Sequence, residues 1–518
     1  MKYIVDVTQM RLLEKNAMEE IGIPALVLME RAAEAVWKQI TAEVDKNERI
    51  LFLCGTGNNG ADGLAAARMA ILSGYSADIC ILTNEKIVCF GVQLKAASDD
   101  DVSVGILNEM RCTDEFKTQL SILCRMCKII IKDFASHEYN VFVDAIFGIG
   151  LSREISGTYY DCIQKINEER AQRKIVVFAV DIPSGVNGSS GEVLGIAVRA
   201  DFTVTFGWNK IGLLQYPGAA YAGKVLVADI GIPMDEMIRN NDAWKIHEIC
   251  DLRPIMTRNP DSHKGTYGKV AVIAGSTGMC GAAILATKAA LRMGSGIVMT
   301  VSTEDNRIPL QITVPEALYY DRSRIDIAIS QAGFLIVGPG IGRDEEAAAL
   351  VKTVLLTRKP TVLDADAINC LSIYEELKQY LHENVILTPH MGEMARLTNM
   401  DMHELKKNRV ATAETFAVRY GVICVLKDAR TIITDGKHYR YLNLSGNAGM
   451  ATGGSGDVLT GVIAGLLATG CEPKAAASLG VYIHGLAGDY AKAELGERYM
   501  IAGDIIAYLK EVLRNFED

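Results

Sequence analysis

The chain has no apolar run approaching the ~20 residues needed to span a bilayer. Its longest apolar stretches are broken by Gly, Lys or Asp, so no membrane partner is expected. The opening Met1-Lys2-Tyr3-Ile4-Val5-Asp6 lacks the basic-then-apolar pattern of an export signal, which points to a cytoplasmic location. An excess of basic residues is also missing. With 53 Lys and Arg against 63 Asp and Glu, the formal net charge is −10 and the pI about 5.5. A nucleic-acid footprint needs clustered Lys and Arg, so no nucleic-acid partner is expected. A single nucleotide is still admissible, because backbone amides can hold its phosphates. Disorder over most of the length is excluded by a content of 49% hydrophobic and 22% charged residues. Metal-type cysteine spacing is nearly absent. Of 12 cysteines, the one close pair is Cys124-Arg125-Met126-Cys127, and a lone C-x-x-C is a weak zinc signal. Others, such as Cys54 and Cys424, sit in apolar runs. Buried, reduced thiols are the natural expectation.

What is present is alternation. Short β-branched runs exchange with longer helical patterns, which predicts parallel sheets with helices on both faces. Strands are expected at Arg49–Cys54, Ala77–Thr83, Val141–Ala145, Ile175–Val180 and Phe202–Phe206. The texture restarts after about residue 260, at Lys269–Ala274, Gly296–Val301, Phe334–Val337, Thr361–Leu363, Asn384–Leu387 and Ile423–Leu426. The polar stretch between Pro233 and Pro260 separates the halves. Two α/β domains are therefore expected, over residues 1–240 and 245–518, each binding ligands at the carboxyl ends of its strands.

In the first half, Gly55-Thr56-Gly57-Asn58-Asn59-Gly60-Ala61-Asp62-Gly63 follows a strand and precedes a helical pattern at Leu64–Leu72. Glycines alone would suggest only a tight turn. Asn58, Asn59 and Asp62 add side-chain oxygens that a turn does not need. Asp144-Ala145-Ile146-Phe147-Gly148-Ile149-Gly150-Leu151 and Asp181-Ile182-Pro183-Ser184-Gly185 also follow strands. Each Asp alone could be a turn residue, but three oxygen-rich strand ends on one sheet edge suit a hard cation. These loops, with Met29-Glu30-Arg31-Ala32-Ala33 and Thr205-Phe206-Gly207-Trp208-Asn209-Lys210, resemble the NAD(P)H-hydrate epimerase domain over roughly residues 1–235. The resemblance implies a Rossmann-like three-layer fold and a potassium ion at Asn59, Asp144 and Ser184. It implies contact with the damaged dinucleotide (NADHX or NADPHX) through Asn58, Asn59, Gly60, Ala61 and Asp62, through Gly148, Ile149, Gly150, Leu151, Ser152, Arg153 and Glu154, and through Asp181. Asp181 is the expected acid–base residue near the hydrated C6 carbon. Ala61 stands where the family usually has glycine, which would weaken binding if that residue needed positive φ.

In the second half the most informative run is Gly446-Asn447-Ala448-Gly449-Met450-Ala451-Thr452-Gly453-Gly454-Ser455-Gly456-Asp457, followed by an apolar helical pattern. Small residues at a helix start expose several amides to one point, which neutralises a phosphoryl group in transit. Asp457 is the expected catalytic base. The bland reading is a helix cap, but a cap needs one side chain and not a glycine run. His390, in Thr388-Pro389-His390-Met391-Gly392-Glu393, is expected on an exposed loop. Lys427 ends an apolar strand and could simply snorkel. His484 reads as close helix packing.

Gly-x-Gly-Asp at a helix start resembles the ribokinase-like superfamily. With Thr-Pro-His-x-Gly-Glu and Gly-Asn-x-Gly-Met-Ala-Thr-Gly-Gly, it resembles NAD(P)H-hydrate dehydratase over roughly residues 245–518. That implies substrate contact through Ala282, Gly342, His390 and Asp457. It implies nucleotide contact through Lys427, Asp428, Ala429, Arg430 and Thr431, and through Asn447, Gly449, Met450, Ala451, Thr452, Gly453, Gly454, Ser455 and Gly456. The implied phosphoryl donor is ADP, or ATP, with magnesium. Asp428 stands where glycine is common and would bring a negative charge near the phosphates; Ala448 stands where proline is frequent. The combined expectation is a bifunctional, homo-oligomeric enzyme that epimerises hydrated NADH or NADPH and dehydrates one epimer. The rival is a small-molecule kinase of ribokinase-like fold with an N-terminal nucleotide-binding or interaction module, because fold alone does not fix function.

Overall fold

The computed structural model describes residues 1–94, 111–234, 243–255 and 260–514. Two compact units emerge, one of residues 4–239 and one of Met1–Tyr3 with residues 240–518. The strands are β1 (Lys2–Ile4), β2 (Arg49–Cys54), β3 (Ser76–Leu82), β4 (Ile87–Leu94), β5 (Cys127–Lys132), β6 (Val141–Ala145), β7 (Val176–Val180), β8 (Phe202–Phe206) and β9 (Lys224–Ala228). They continue with β10 (Trp244–Ile246), β11 (Lys269–Ile273), β12 (Ile297–Ser302), β13 (Leu318–Asp321), β14 (Phe334–Val337), β15 (Thr361–Leu363), β16 (Val385–Leu387), β17 (Ile423–Leu426), β18 (Ile432–Thr434) and β19 (Arg440–Leu442).

In the unit of residues 4–239 the order is β5-β4-β3-β2-β6-β7-β8-β9. Neighbours from β3 through β2, β6, β7 and β8 to β9 are parallel, as the buried, β-branched strands require. β4 and β5 add an antiparallel margin. The expectation of reduced thiols throughout fails there. Cys80 and Cys89 oppose each other across β3 and β4 and are joined as a disulfide, since direct cross-strand neighbours bring their side chains together. Cys54, Cys124, Cys127 and Cys424 are buried.

The second unit has the order β1-β10-β19-β18-β17-β16-β15-β14-β11-β12-β13. From β17 to β13 every pairing is parallel, and β18 and β19 turn back antiparallel. By their contacts, residues 1–3 group with the second unit. Lys2 and the terminal ammonium pair with Glu248 there, the ammonium also with Asp251. No helix among the described residues is long and apolar enough to cross a membrane.

The helix Ser455–Ala468 is nearly fully buried and lies against the helix Cys280–Arg292. Glycines make that approach possible. A Cβ on Gly461 would stand 2.3 Å from the Ala286 carbonyl oxygen, and one on Gly465 2.4 Å from the Met293 Cβ. Gly461→Ala is therefore expected to destabilise the unit by about 1–3 kcal/mol through overpacking, read as a lower midpoint in thermal or urea unfolding. It should also slow chemistry at the helix's N-terminal end, because it pushes the whole helix outward.

Candidate functional site

In the first unit, β2, β6 and β7 are neighbours, so their carboxyl ends open onto one edge. Their loops touch. A Cβ on Gly55 would lie 2.1 Å from the Ile146 carbonyl oxygen, and one on Gly60 1.8 Å from that of Gly55. The segment read as a loop is partly helix, since Asn58–Leu72 is helical with Gly57 at its N-cap. Ala61 is fully buried in that helix and has no positive φ, so alanine is unstrained and the expected penalty does not arise.

A cleft of about 770 Å³ lies over this edge. Asn58, Asn59, Asp62, the run from Gly148 to Arg153, and Asp181 line it. Gly60 and Ala61 are buried in the helix instead, and Glu154 is exposed away from the lining. Sequence reasoning missed one wall, formed by Arg11, Glu14 and Met18 of the helix Val7–Glu19. Their spacing of three and four residues puts them on one helix face, which was the available signal.

Asp181 sits at φ +65° just past β7 and is 7% exposed. Its Oδ1 accepts from Lys210 Nζ at 2.7 Å and from Thr205 Oγ1 at 3.1 Å. Lys210, 1% exposed, also donates to Thr205 Oγ1 and the Phe206 carbonyl, both at 2.8 Å. The sequence reading gave this lysine no role. Around the pair, burial and the Asp181 charge push the Glu14 carboxyl up to about 7. Burial, then Asp181 and Glu14, raise Asp62 well above the ordinary carboxylate range.

Beneath the cleft, Asp144 is fully buried. Its carboxylate accepts from Ser184 Oγ at 2.6 Å, Ser184 N at 2.7 Å and Ile146 N at 3.2 Å. Burial still raises it to about 6, and no basic side chain pairs with it among the described residues. Asn59 reaches the same region. Its Oδ1 is 3.0 Å from where a Cβ on Gly148 would lie, and its buried Nδ2 has no hydrogen-bond partner. Buried oxygens around a carboxylate without a basic partner suit a hard cation.

In the second unit, the loops after β11, β14, β15, β16 and β17 share the carboxyl edge of five adjacent strands. Lys427 does not snorkel. Its Nζ turns inward to Asp364 Oδ1 at 2.7 Å. Asp364, 1% exposed, also accepts from Thr388 Oγ1 at 2.8 Å and Thr460 Oγ1 at 2.9 Å. Burial opposes its charge, but Lys427 and the two threonines hold Asp364 below the ordinary carboxylate value. The ammonium lies under the glycine run, 3.3 Å from where a Cβ on Gly456 would stand. Gly454, at φ +91°, forms the N-cap of Ser455–Ala468 without any side-chain cap. Asp457 is thus in the first turn and makes no cap hydrogen bond, so the capping explanation fails. Burial, then the Asp364 charge, push its carboxyl up to about 7 despite Lys427.

Several other predicted contact residues lie on the loops at this edge. His390 is not on a loop. It is the N-cap of the helix Met391–Thr398, its Nδ1 accepting from Gly392 N and Glu393 N, with Glu393 completing a capping box. An asparagine or serine would cap equally well, so the cap alone does not require histidine. His390 bridges to Lys427 through the backbone. Gly342 N donates to Asp366 Oδ2 at 3.2 Å. Ala282 abuts Gly340, whose Cβ would be 3.2 Å from its own. Lys427 to Thr431 form the turn between β17 and β18. The Asp428 charge is met by Arg409 at 3.1 Å, so it does not stand uncompensated. Asn447 caps the short helical turn Ala448–Met450, and Asp489 anchors the loop through Gly446 N and Asn447 Nδ2. Ala448 is exposed at the first position of that turn, a place that suits proline or alanine. His484 is buried beneath Ser455 at 3.5 Å and pushed down to about 4 by burial, which leaves it a neutral packing group.

Residues 25–212 match the family described as YjeF-related protein N-terminus, and residues 270–511 match NAD(P)H-hydrate dehydratase. A bifunctional NAD(P)H-hydrate repair enzyme of Moorella thermoacetica is 36% identical, over 100% of this chain and 97% of that protein. The protein of the same name in Thermofilum pendens is 36% identical over 99% and 96%, and that of Escherichia coli 30% over 96% and 92%. Among solved structures, the ADP/ATP-dependent NAD(P)H-hydrate dehydratase of Bacillus subtilis, co-crystallised with ATP and Mg2+, is 31% identical with a TM-score of 0.47, covering 52% of this chain and 98% of that one.

Proposed function

Since the chain belongs to the bifunctional NAD(P)H-hydrate repair enzymes, we infer that its two sites divide one repair between them. The first unit epimerises NADH or NADPH that carries water across the nicotinamide 5,6-bond. The second removes that water from one epimer and restores the reduced dinucleotide. The observation that carries the site assignment is Asp457: a carboxyl in the first turn of a glycine-started helix, uncommitted to capping, pushed up to about 7 and next to an ammonium.

Hydroxide leaves C6 poorly. Asp457 takes the proton of the C6 hydroxyl while that oxygen attacks the terminal phosphoryl group of a nucleoside diphosphate. The C6–O bond then breaks with its electron pair on the departing phosphate. The ring nitrogen lone pair forms the N1–C6 double bond, and loss of one C5 proton to solvent restores the 5,6-double bond of the reduced nicotinamide. With ADP as donor, the other products are AMP and phosphate. First-turn amides and the Lys427 ammonium neutralise the phosphoryl oxygens. Gly453, with nothing within 4 Å of a built Cβ, leaves space for them. Magnesium is assigned to the nucleotide's phosphates, where such ions keep few protein ligands. The Lys427–Thr431 turn and the Asn447–Gly456 loop are assigned to the nucleotide, and Ala282, Gly342 and His390 to the dinucleotide.

In the first unit, Asn59, Asp144 and Ser184 would hold potassium, whose charge compensates the buried carboxylate and fixes the loops that bear substrate. The residues lining the cleft bind the dinucleotide, with Asp181 at the reacting carbon.

Racemic NADPH hydrate with ADP tests the whole reading. Complete, rapid return of reduced-nicotinamide absorbance requires both activities. Arrest near half conversion would mean that the first unit is inert. A stable phosphorylated product without restored absorbance would support the kinase alternative. Lys427→Met is expected to lower kcat/KM of dehydration by ~10²–10³-fold, the usual loss on removing one charge-stabilising donor. Epimerisation, followed by chromatographic separation of the hydrates, should not change.

A further inference from the structure

Asp181 alone is poorly equipped to exchange the configuration at C6. Inverting a hydroxylated carbon by loss and return of water needs an acid where hydroxide departs and a base where water returns. The Asp181 Oδ1 is already engaged by Lys210, Thr205 and the Phe206 amide, so one group does not serve both faces of the carbon. A second group is required, and pairs of carboxyls in contrasting environments are how enzymes divide such roles.

Glu14 meets the requirement by position. It lies on the wall formed by Arg11, Glu14 and Met18 and lines the same cleft as Asp181. The helix that bears it is fixed at its start. Asp6 and Gln9 form a capping box. Val5 exchanges backbone hydrogen bonds with Asn209 and Ile211 on either side of Lys210. The element carrying Glu14 is thereby tied to the one carrying the lysine that holds Asp181. Unlike Asp181, Glu14 makes no hydrogen bond or ion pair among the described residues. The charged groups around it are Arg11, Lys210, Asp62 and Asp181.

We propose that Glu14 is the second acid–base residue of the epimerase, acting opposite Asp181 in a two-carboxyl exchange. The proposal rests on the epimerase reading above. Glu14, in its acid form, gives its proton to the C6 hydroxyl oxygen. The C6–O bond breaks with its electron pair on oxygen, water leaves, and the ring nitrogen lone pair makes the N1–C6 double bond. Water then adds to the other face of C6 and surrenders a proton to the Asp181 carboxylate. Nothing is consumed, and the reverse direction exchanges the two roles. The raised Glu14 carboxyl, at about 7, supplies an acid form at neutral pH.

The test is Glu14→Gln in the full chain, with the separated hydrate epimers as substrate and no ADP. Epimerisation is expected to fall ~10²–10⁴-fold, the range for a lost general acid or base. The fall should lie in kcat, with KM little changed, while dehydration of the reactive epimer, measured separately with ADP added, stays at the wild-type rate. Glu14→Asp should restore part of the loss and shift the pH profile. Wild-type epimerisation by Glu14→Gln would overturn the proposal. So would a loss confined to KM, which would make Glu14 a binding residue. A failure of dehydration in Glu14→Gln with no return in Glu14→Asp would also count against it, as a structural effect. If instead the unsubstituted protein does not epimerise at all, the underlying reading has failed, and that result is distinct from these.

Discussion

Asp457→Asn is expected to abolish dehydration, by ~10³-fold or more, and to leave epimerisation intact. The carboxyl has no structural employment: it caps nothing, and Gly454 forms the helix start without it. A general base contributes ~10²–10⁴-fold. Here the alkoxide it generates is also the nucleophile, so the loss falls at the upper end. Two further readouts distinguish this from a disturbed fold. In the unsubstituted protein, kcat/KM for dehydration should decline tenfold per pH unit below about 7, where Asp457 takes up its proton. Stability should move the other way. The folded carboxyl binds its proton more tightly than the unfolded one, so the native state loses stability as pH rises from about 4 to about 7. Asparagine carries no such penalty. Above pH 7 the variant should melt higher than wild type, and the two should converge near pH 4. An Asp457→Asn protein that still restores reduced nicotinamide would remove the basis of the mechanism.

Lys210→Met should strongly destabilise the first unit. It leaves the Asp181 carboxylate, 7% exposed, without its cation. Breaking one partner of a buried ion pair costs ~3–5 kcal/mol, which lowers the melting temperature on the order of 10 °C for a unit of this size. Epimerisation should vanish with it. The double variant Lys210→Met/Asp181→Asn should recover most of the stability and none of the epimerisation. That non-additivity, measured as a double-mutant cycle, separates the pair's structural role from its chemical one. Additive losses would mean that Lys210 and Asp181 act independently.

The central parallel strands were legible because they are buried on both faces and read as short β-branched runs, whereas the partly exposed parallel strands β9 and β13 were not. Arg49–Cys54, Val141–Ala145, Phe202–Phe206, Phe334–Val337, Thr361–Leu363 and Ile423–Leu426 form with the expected bounds. β4 and β5 were not. In β5 apolar and Lys residues mix on a partly exposed margin, and pattern alone does not reveal a partner that makes them a sheet. The Cys80–Cys89 link escaped for the same reason, since it depends on that pairing. In the sites, the glycine and Asp motifs announced themselves by unusual composition. Glu14 and Lys210 did not, because an acidic residue on an amphipathic helix and a lysine beyond a strand are ordinary until folding brings them to Asp181. His390 was expected on a loop and instead caps a helix. Its capping of Met391–Thr398 is a local geometry that the preceding proline obscured.

The small strand β1 has a practical consequence. The sheet of the second unit takes its outermost strand from residues 2–4, remote in sequence from its other strands, and the Lys2 ammonium is a partner of Glu248. A dehydratase fragment expressed from residue 245 onward would lack β1 altogether. The isolated second half is best produced with a peptide that carries Lys2-Tyr3-Ile4 supplied in trans or grafted ahead of β10.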